Sequence, residues 1–283
     1  MPNKVHHEIN RLSWNEATKA HNSHKGDQAA FFRAGGSTLF EEEKRLLGDI
    51  AGKTLLHLQC NCGQDSLSIA NHLGAIVTGV DISDEAINFA RQLSRDSGIP
   101  AEYIRADIYD FFADNQTQYD LVFASYGALV WLSDLDAWTK GIRRCLKRGG
   151  TFVFIDFHPA FGMFDENWQL KYDYMGGSFV EFESGIGDYV ALTGSAGETD
   201  ELQAGIQDFV NPHPGVEYLW GLADVISALI SAGFALAGFG EYPHCNGFKP
   251  MTDMRDAGDR RYGMPDRLPQ RFPLMFSLVA RKP

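Results

Sequence analysis

Two aspartates each follow a short apolar run of the sequence, where their carboxylates can bind the hydroxyls and amines of a ligand. Asp81 ends the run AIVTGVD, and Asp107 follows the run AEYIRA. A carboxylate at Asp81 can accept from both hydroxyls of a ribose diol, because it has two oxygens and the diol has two donors. Asp107 can accept from an exocyclic amine such as adenine N6, with Ile82 and Ile108 on the two faces of the ring. Together these side chains predict an adenosine pocket.

The stretch LLHLQCNCGQD precedes both aspartates and reads as a strand that ends in a loop. A loop that binds the diphosphate of a dinucleotide needs three glycines in the pattern GxGxxG. Here Gly63 is the single glycine, so a diphosphate fits poorly, and Asn61 is a residue that tolerates the left-handed conformation glycine usually takes. Cys60 and Cys62 lack clear third and fourth metal ligands, so we expect small reduced side chains in a tight turn and no metal.

The elements that must position these residues follow from the hydrophobic pattern. Strand-length apolar runs alternate with helix-period segments from residue 53 to about 157, which is typical of βα units on a parallel sheet. Two final strands, FALAGFGEY and FPLMFSLVARK, have no clear helix between them and are predicted to pair as a hairpin. The predicted strands lie near 53–60, 75–81, 101–105, 119–125 and 150–157, and the helices near 64–73, 84–97 and 134–147.

This pattern predicts an α/β fold with a doubly wound, mostly parallel sheet and helices on both faces. Ligands of such sheets bind outside the carboxyl ends of the strands, at the point where the strand order reverses. That rule places the loop after the first strand and both aspartates at one site.

Composition excludes several classes of function. Asp plus Glu number 37 against 25 Lys plus Arg, giving a formal net charge of -12, and no dense basic run is present, so nucleic acid is not an expected partner. The start of the sequence lacks the pattern of a signal peptide, and no apolar run reaches the roughly 18 residues of a membrane span, so we expect a cytoplasmic location. The sequence gives no indication of oligomeric state.

In their order and spacing, five stretches resemble the motifs of class I S-adenosylmethionine-dependent methyltransferases: LLHLQCNCGQD, GVDIS, ADIYDF, YDLVFASYG and LKRGGTFVF. The resemblance spans roughly residues 45 to 157 and, more loosely, the closing helix and strands. It departs from the family at Gln59 and Asn61, where glycines are usual, and at His57, where an acid is usual. It implies a seven-stranded sheet with an antiparallel last strand and S-adenosylmethionine as the cofactor. The implied cofactor-binding residues within these motifs are Gln59, Asn61, Gly63, Asp81, Ile82, Asp107, Ile108 and Ser125, with Gln59 or Asn61 at the methionine part.

The N-terminal segment is expected to contribute to the same site, because the resemblance implies N-terminal helices that lie across the cofactor. Trp14 would then contact the cofactor or the core, and Arg33 could hold the cofactor carboxylate. A second N-terminal helix is predicted to begin near Ser37 or Thr38, with Glu41 completing a capping box.

Two residues are candidates for a direct part in methyl transfer. His158 follows the fifth strand and is the expected base if the acceptor arrives protonated; the alternative is a turn residue that starts the next segment. Tyr126 follows the fourth strand, where it would line the path of the methyl group or simply pack.

The sequence therefore predicts an S-adenosylmethionine-dependent methyltransferase that acts on a small-molecule acceptor by in-line transfer. The alternative is a cofactor- or partner-binding module with this fold and no chemistry, since two glycines of the motif are missing. The aromatic-rich region after the fifth strand is expected to cap the site, or else to form a purely structural antiparallel sheet. Four regions are predicted: a helical cover (1–50), the cofactor-binding core (51–157), the inserted cap or substrate region (158–220) and a segment that completes the sheet (221–283).

Overall fold

A central sheet with helices on both faces forms the body of the protein in the computed structural model, which describes residues 1–193, 205–269 and 271–283. The helices are α1 (Lys4–Ser23), α2 (Gln28–Arg33), α3 (Glu41–Leu47), α4 (Gln64–Leu73), α5 (Asp84–Ser97), α6 (Ile108–Asp114), α7 (Leu135–Cys145), α8 (Tyr189–Thr193) and α9 (Leu222–Ser231). The strands are β1 (Thr54–Leu58), β2 (Ile76–Asp81), β3 (Glu102–Arg105), β4 (Tyr119–Ser125), β5 (Leu146–Phe157), β6 (Ser178–Phe182), β7 (Gly215–Leu219), β8 (Ala235–Tyr242), β9 (His244–Asn246), β10 (Arg255–Asp256), β11 (Arg261–Gly263) and β12 (Met275–Arg281). None of the described helices is both long and apolar enough to cross a bilayer.

The main sheet has seven strands in the order β3-β2-β1-β4-β5-β12-β8. Strands β1 to β5 pair in parallel, whereas β12 is antiparallel to both β5 and β8. The predicted α/β fold and its closing pair of strands are confirmed. The strand order reverses between β1 and β4, so the crevice at their carboxyl ends is where a doubly wound sheet binds its ligand.

The sequence predicted helices at 64–73 and 84–97, and α4 and α5 have these bounds. The Ser83 hydroxyl accepts from the Ala86 amide at 3.1 Å at the start of α5, and Gly98 ends the helix with a left-handed φ of 75°. The end of α7 was predicted less well, because β5 begins at Leu146 and not near residue 150. Helix α6 was not predicted; Asp107 caps it by accepting from the Tyr109 amide at 2.8 Å.

The N-terminal cover differs from its prediction at the start of α3. This helix begins at Glu41, and its N-cap residue Phe40 makes no side-chain cap bond, so the predicted capping box is wrong. Thr38 instead joins the segment to α4, because its hydroxyl donates to Asp65 Oδ1 at 2.5 Å and its amide donates to Ser68 Oγ at 2.9 Å.

The aromatic-rich region contributes one small antiparallel sheet and part of the edge of the cavity described below, whereas a second small sheet lies in the C-terminal segment. Strands β6 and β7 form a two-stranded sheet, and β10, β11 and β9 form a three-stranded one. Phe161 and Trp168 are buried in a separate cluster with Cys245 and Tyr262, so these two rings serve packing. Residues 194–204 of the predicted cap lie outside the described residues.

Candidate functional site

A cavity of about 120 Å³ lies at the carboxyl ends of β1, β2 and β4, beneath α1. It is at the strand-order reversal that the fold predicts for a ligand. Gly63, Arg33 and His158 are not among the residues of its wall. The cavity wall brings together nine of the predicted site residues: Trp14, Gln59, Asn61, Asp81, Ile82, Asp107, Ile108, Ser125 and Tyr126.

The loop after β1 keeps a left-handed backbone at three alternate positions although only one of them is glycine. The φ angles are 52° at Gln59, 48° at Asn61 and 78° at Gly63. Asn61 thus adopts the predicted conformation, and its side-chain Oδ1 accepts from the Cys62 amide at 2.7 Å. A side chain in this region costs backbone energy that asparagine offsets by local hydrogen bonding. The loop therefore has the left-handed conformation at Gln59 and Asn61 that glycines at these two positions would adopt easily.

The Gln59 side chain presents a buried acceptor at the cavity. Its Nε2 donates to the Ala128 carbonyl at 2.9 Å, which fixes the orientation of the amide. Its Oε1 is buried and has no hydrogen-bond partner among the described residues. An unpaired buried acceptor costs roughly 1–3 kcal/mol, so this oxygen is suited to a donor on a bound ligand.

Asp81 lies at the end of β2 with its carboxylate fixed by the backbone. Its Oδ1 accepts from the Ser83 amide at 2.8 Å, and its Oδ2 accepts from the Asn61 amide at 2.8 Å. Burial raises the pKa of Asp81, and these amides oppose the rise. Each carboxylate oxygen retains a further lone pair, so the group can still accept from two ligand hydroxyls.

Asp107 is joined to the N-terminal helix by two side chains, His7 and Lys4. Its Oδ2 lies 2.7 Å from His7 Nδ1 and 3.1 Å from Lys4 Nζ. Burial raises the pKa of Asp107, but the hydrogen bond and charge of His7, the Tyr109 amide and Lys4 outweigh it and hold that pKa at about 2. The His7 ring also stacks on Tyr109, with centroids 5.2 Å apart. His7 cannot be recognised as a site residue from the sequence, because nothing in its local pattern connects it with a carboxylate 100 residues away.

We expect Asp107 to make the protein more sensitive to acid. Its pKa is lower in the folded state than the 3.8 of a free aspartate, so it contributes stability above pH 3.8 that is lost as the pH falls through about 2. The full contribution is about 2 kcal/mol, and roughly half of it is lost at pH 3. In urea unfolding at pH 7 and pH 3, the stability difference between wild type and Asp107→Asn should shrink by about 1 kcal/mol. A difference that does not shrink would contradict the pairing, and Asp96→Asn on the exposed face of α5 is the control.

A buried carboxylate shapes the segment after β4 that lines the cavity. Asp156 accepts from the backbone amides of Gly127, Leu129 (2.9 Å) and Phe157 (2.7 Å). Burial raises the pKa of Asp156 to about 6, although these amides favour its charged form. This carboxylate fixes the turn that presents the Ala128 carbonyl to Gln59.

The Tyr126 hydroxyl is engaged with side chains behind the cavity wall. It accepts from Asn246 Nδ2 at 2.9 Å, and the Glu43 carboxyl interacts with it. Glu43 is 1% exposed, and burial, helped by the charge of Asp65, raises the pKa of Glu43 to about 8. Burial also raises the pKa of Tyr126 well above its ordinary value. The phenol is therefore held as a neutral group, which suits a packing and lining role better than proton removal.

We expect Tyr126→Phe to lower stability and leave ligand affinity nearly unchanged. The substitution removes a buried hydrogen-bond partner of the Asn246 amide, at a cost of roughly 1–3 kcal/mol in the free energy of unfolding. Chemical denaturation measures the loss, and calorimetric titration measures affinity. Tyr172→Phe, which removes a hydroxyl beside the exposed Lys171, is the control. Loss of affinity with full stability would contradict this assignment.

The structure does not bring His158 or Arg33 to the cavity. His158 Nε2 lies 3.2 Å from Glu241 Oε1, and its Nδ1 accepts from the Ala160 amide at 3.0 Å, so both ring nitrogens are engaged beyond the end of β5. Arg33 donates to the Asp96 carbonyl at 2.6 Å, because α2 packs against α5. Gly63 is the N-cap residue of α4 and lies outside the cavity wall. Its carbonyl accepts from the Tyr103 hydroxyl at 3.1 Å.

Aromatic rings from three separate segments close one side of the cavity. Trp14 of α1 meets Trp131 edge to face at 5.5 Å and Tyr189 of α8 at 6.5 Å. The Tyr189 ring also lies 4.1 Å from the ring of His21. Tyr189 is thus the residue through which the aromatic-rich region contributes to the cavity wall.

Comparison with known proteins gives a match to the core of the chain. Residues 55–150 match a family model described as a methyltransferase domain. Ubiquinone biosynthesis O-methyltransferases are similar over a stretch of comparable length: that of Klebsiella pneumoniae is 31% identical over 107 residues, and that of Salmonella arizonae is 36% identical over 107 residues. Each match covers 38% of this chain and 43% of the relative, so the similarity spans less than half the length of these curated relatives.

Solved structures match a much larger part of the chain. A putative S-adenosylmethionine-dependent methyltransferase from Listeria monocytogenes aligns with a TM-score of 0.56 and 22% identity, covering 90% of this chain and 99% of that one. An S-adenosylmethionine-dependent methyltransferase from Mesorhizobium loti aligns with a TM-score of 0.53 and 21% identity, covering 87% and 99%. At these identities the alignments establish a shared fold.

Proposed function

We propose that this chain, whose residues 55–150 match a methyltransferase domain, transfers a methyl group from S-adenosylmethionine to a small-molecule acceptor. One observation carries the proposal. The Asp81 carboxylate is fixed at the tip of β2 by the Asn61 amide, inside a cavity beneath a loop that keeps the left-handed form of a glycine motif.

The residues of the cavity fit the three parts of this cofactor. Asp81 would bind the ribose hydroxyls, and Asp107, with His7 beside it, would receive the adenine amine between Ile82 and Ile108. The unpaired Gln59 oxygen would accept from the ammonium of the methionine part. Each Asp81 oxygen, and Oδ1 of Asp107, has one hydrogen-bond donor and keeps a second acceptor position for these bonds.

The cofactor supplies an activated methyl group bonded to a sulfonium sulfur. The protein's own part is to align the acceptor with that methyl group and to exclude water, and alignment alone can contribute ~7–11 kcal/mol in favourable cases. The rings of Trp14, Trp131 and Tyr189 close the cavity on the side of α1 and α8. This arrangement is suited to a direct in-line transfer without a covalent intermediate on the enzyme.

The cavity wall favours an acceptor that needs little help in losing a proton. Among its described residues it has one histidine, His7, whose two ring nitrogens lie 2.7 Å from Asp107 Oδ2 and 2.6 Å from Ser133 Oγ. The aromatic wall suits a flat or partly apolar molecule, and the net charge of -12 does not attract anions. The names of the relatives, O-methyltransferases, favour oxygen as the acceptor atom.

Calorimetric titration with S-adenosylmethionine, followed by an assay of labelled methyl transfer to a panel of phenols, catechols and amines, tests the proposal. We expect saturable one-to-one binding and transfer to at least one aromatic acceptor. Binding without transfer to any of them would favour the alternative of a non-catalytic module. Absence of binding, with Asp81 and Asp107 intact, would overturn the proposal.

A further inference from the structure

Strand β8 is an uncapped apolar edge of the main sheet. It pairs with β12 on one side, and on its other side no described strand pairs with it. Its first five residues, 235–239, are all exposed, with Leu236 at 43% and Phe239 at 51%. A long exposed apolar edge strand is a template for pairing with another chain, because its outward N–H and C=O groups lack ladder partners.

A bulge concentrates the two large apolar side chains of β8 on one face. Leu236 lies opposite Ala280 and Phe239 lies opposite Leu278, with the register shift falling between them at Ala237. Residues three apart in a regular strand point to opposite faces. Here the extra residue, Ala237, places the side chains of Leu236 and Phe239 on the same face of the sheet. This is the face that carries α9 and its core cluster. The edge therefore presents an apolar strip on one face as well as unpaired backbone groups.

The charge pattern favours a second copy of this chain as the partner. The protein has a formal net charge of -12, so most of its surface repels another copy. The sixteen residues 225–240, which span most of α9 and β8, contain no Asp, Glu, Lys, Arg or His. Glu241, the first acid that follows, is already beside His158 Nε2 at 3.2 Å. Residues 235–240 of β8 therefore bring no charged side chain of their own to a second copy, and the charges nearest their start are those of Arg143 and Arg281.

We propose that the protein forms a symmetric dimer through antiparallel pairing of β8 with β8 of a second copy. A strand paired with itself in this way is self-complementary, as a two-fold interface requires. The pairing joins the two seven-stranded sheets into one continuous sheet, gives the outward backbone groups of β8 their ladder partners, and covers Leu236 and Phe239. The cavity at the carboxyl ends of β1, β2 and β4 lies several strands away and remains open to its ligand.

Sedimentation velocity over a range of protein concentrations tests this interface with a matched pair of variants. Phe239→Lys places a charge on the edge strand, whereas Phe179→Lys places one at a similarly exposed aromatic, 48% exposed, on the edge strand β6 of another sheet. We expect wild type and Phe179→Lys to show the mass of a dimer and Phe239→Lys to show that of a monomer. Leu236→Lys should behave as Phe239→Lys does, and circular dichroism confirms that each variant is folded.

Two results would overturn the dimer. One is a wild-type protein that remains monomeric at every concentration tested. The other is a dimer that survives both Phe239→Lys and Leu236→Lys, or that Phe179→Lys breaks instead. Because Leu236, Phe239 and Phe179 all lie outside the cavity wall, affinity for S-adenosylmethionine should be unchanged in all three variants. The result is therefore independent of the proposed methyl transfer.

Discussion

Replacing Asp81 by alanine should weaken the binding of S-adenosylmethionine by ~2–4 kcal/mol, which is roughly a 30- to 1000-fold rise in Kd. The carboxylate is the one group of the β2 tip that can accept from both ribose hydroxyls, and its position is fixed by two backbone amides. Without it the hydroxyls would lose a pair of charge-assisted hydrogen bonds. Isothermal titration calorimetry measures the change directly.

Two further variants separate lost binding from lost structure. Asp81→Asn keeps an oxygen for only one of the Asn61 and Ser83 amides, so its folding is checked by circular dichroism before its loss of affinity is compared with that of Asp81→Ala. Asp96→Ala, on the exposed face of α5, should bind as wild type does. An unchanged Kd in Asp81→Ala would place the ribose elsewhere and remove the basis of the site assignment.

The second large effect is expected at Gln59 and should depend on which part of the ligand is present. Gln59→Leu removes the unpaired buried oxygen together with the Nε2 donor to the Ala128 carbonyl. A hydrogen bond to a charged ammonium is worth roughly 1.5–3 kcal/mol. We therefore expect about a 10- to 150-fold loss of affinity for S-adenosylhomocysteine, which carries that ammonium group.

A truncated ligand supplies the control for this prediction. 5′-Methylthioadenosine has the same adenosine but lacks the amino-acid part, so Gln59→Leu should bind it about as well as wild type does. Equal losses for both ligands would show that the substitution disturbs the loop and not a specific contact. Gln92→Leu, on the exposed face of α5, controls for the loss of a glutamine side chain that lies outside the cavity.

The parts of the molecule that sequence predicted well are those that local pattern determines. The strand-end positions of Asp81 and Asp107 follow from apolar runs of strand length and from the rule for doubly wound sheets. The left-handed form of Asn61 follows from the residue type in a loop where glycine is usual. Helix α5 follows from its N-cap Ser83 and its terminating Gly98.

The parts that sequence missed depend on contacts between distant segments. His7 reaches Asp107 because α1 lies across the strand tips, and Tyr189 reaches the cavity from the inserted region. His158 was expected at the site because it follows β5, yet its direction is set by Glu241 on β8. Arg33 was expected at the cofactor carboxylate, but α2 directs it to α5. Chain order alone specifies none of these directions.

A crystal structure of the protein with S-adenosylhomocysteine is the most direct test of a nucleoside bound across the strand tips. The prediction is that both ribose hydroxyls lie within hydrogen-bond distance of the Asp81 carboxylate and that the ligand ammonium contacts Gln59 Oε1. Density for the nucleoside at any other place, with this cavity filled by the protein's own side chains, would contradict the account.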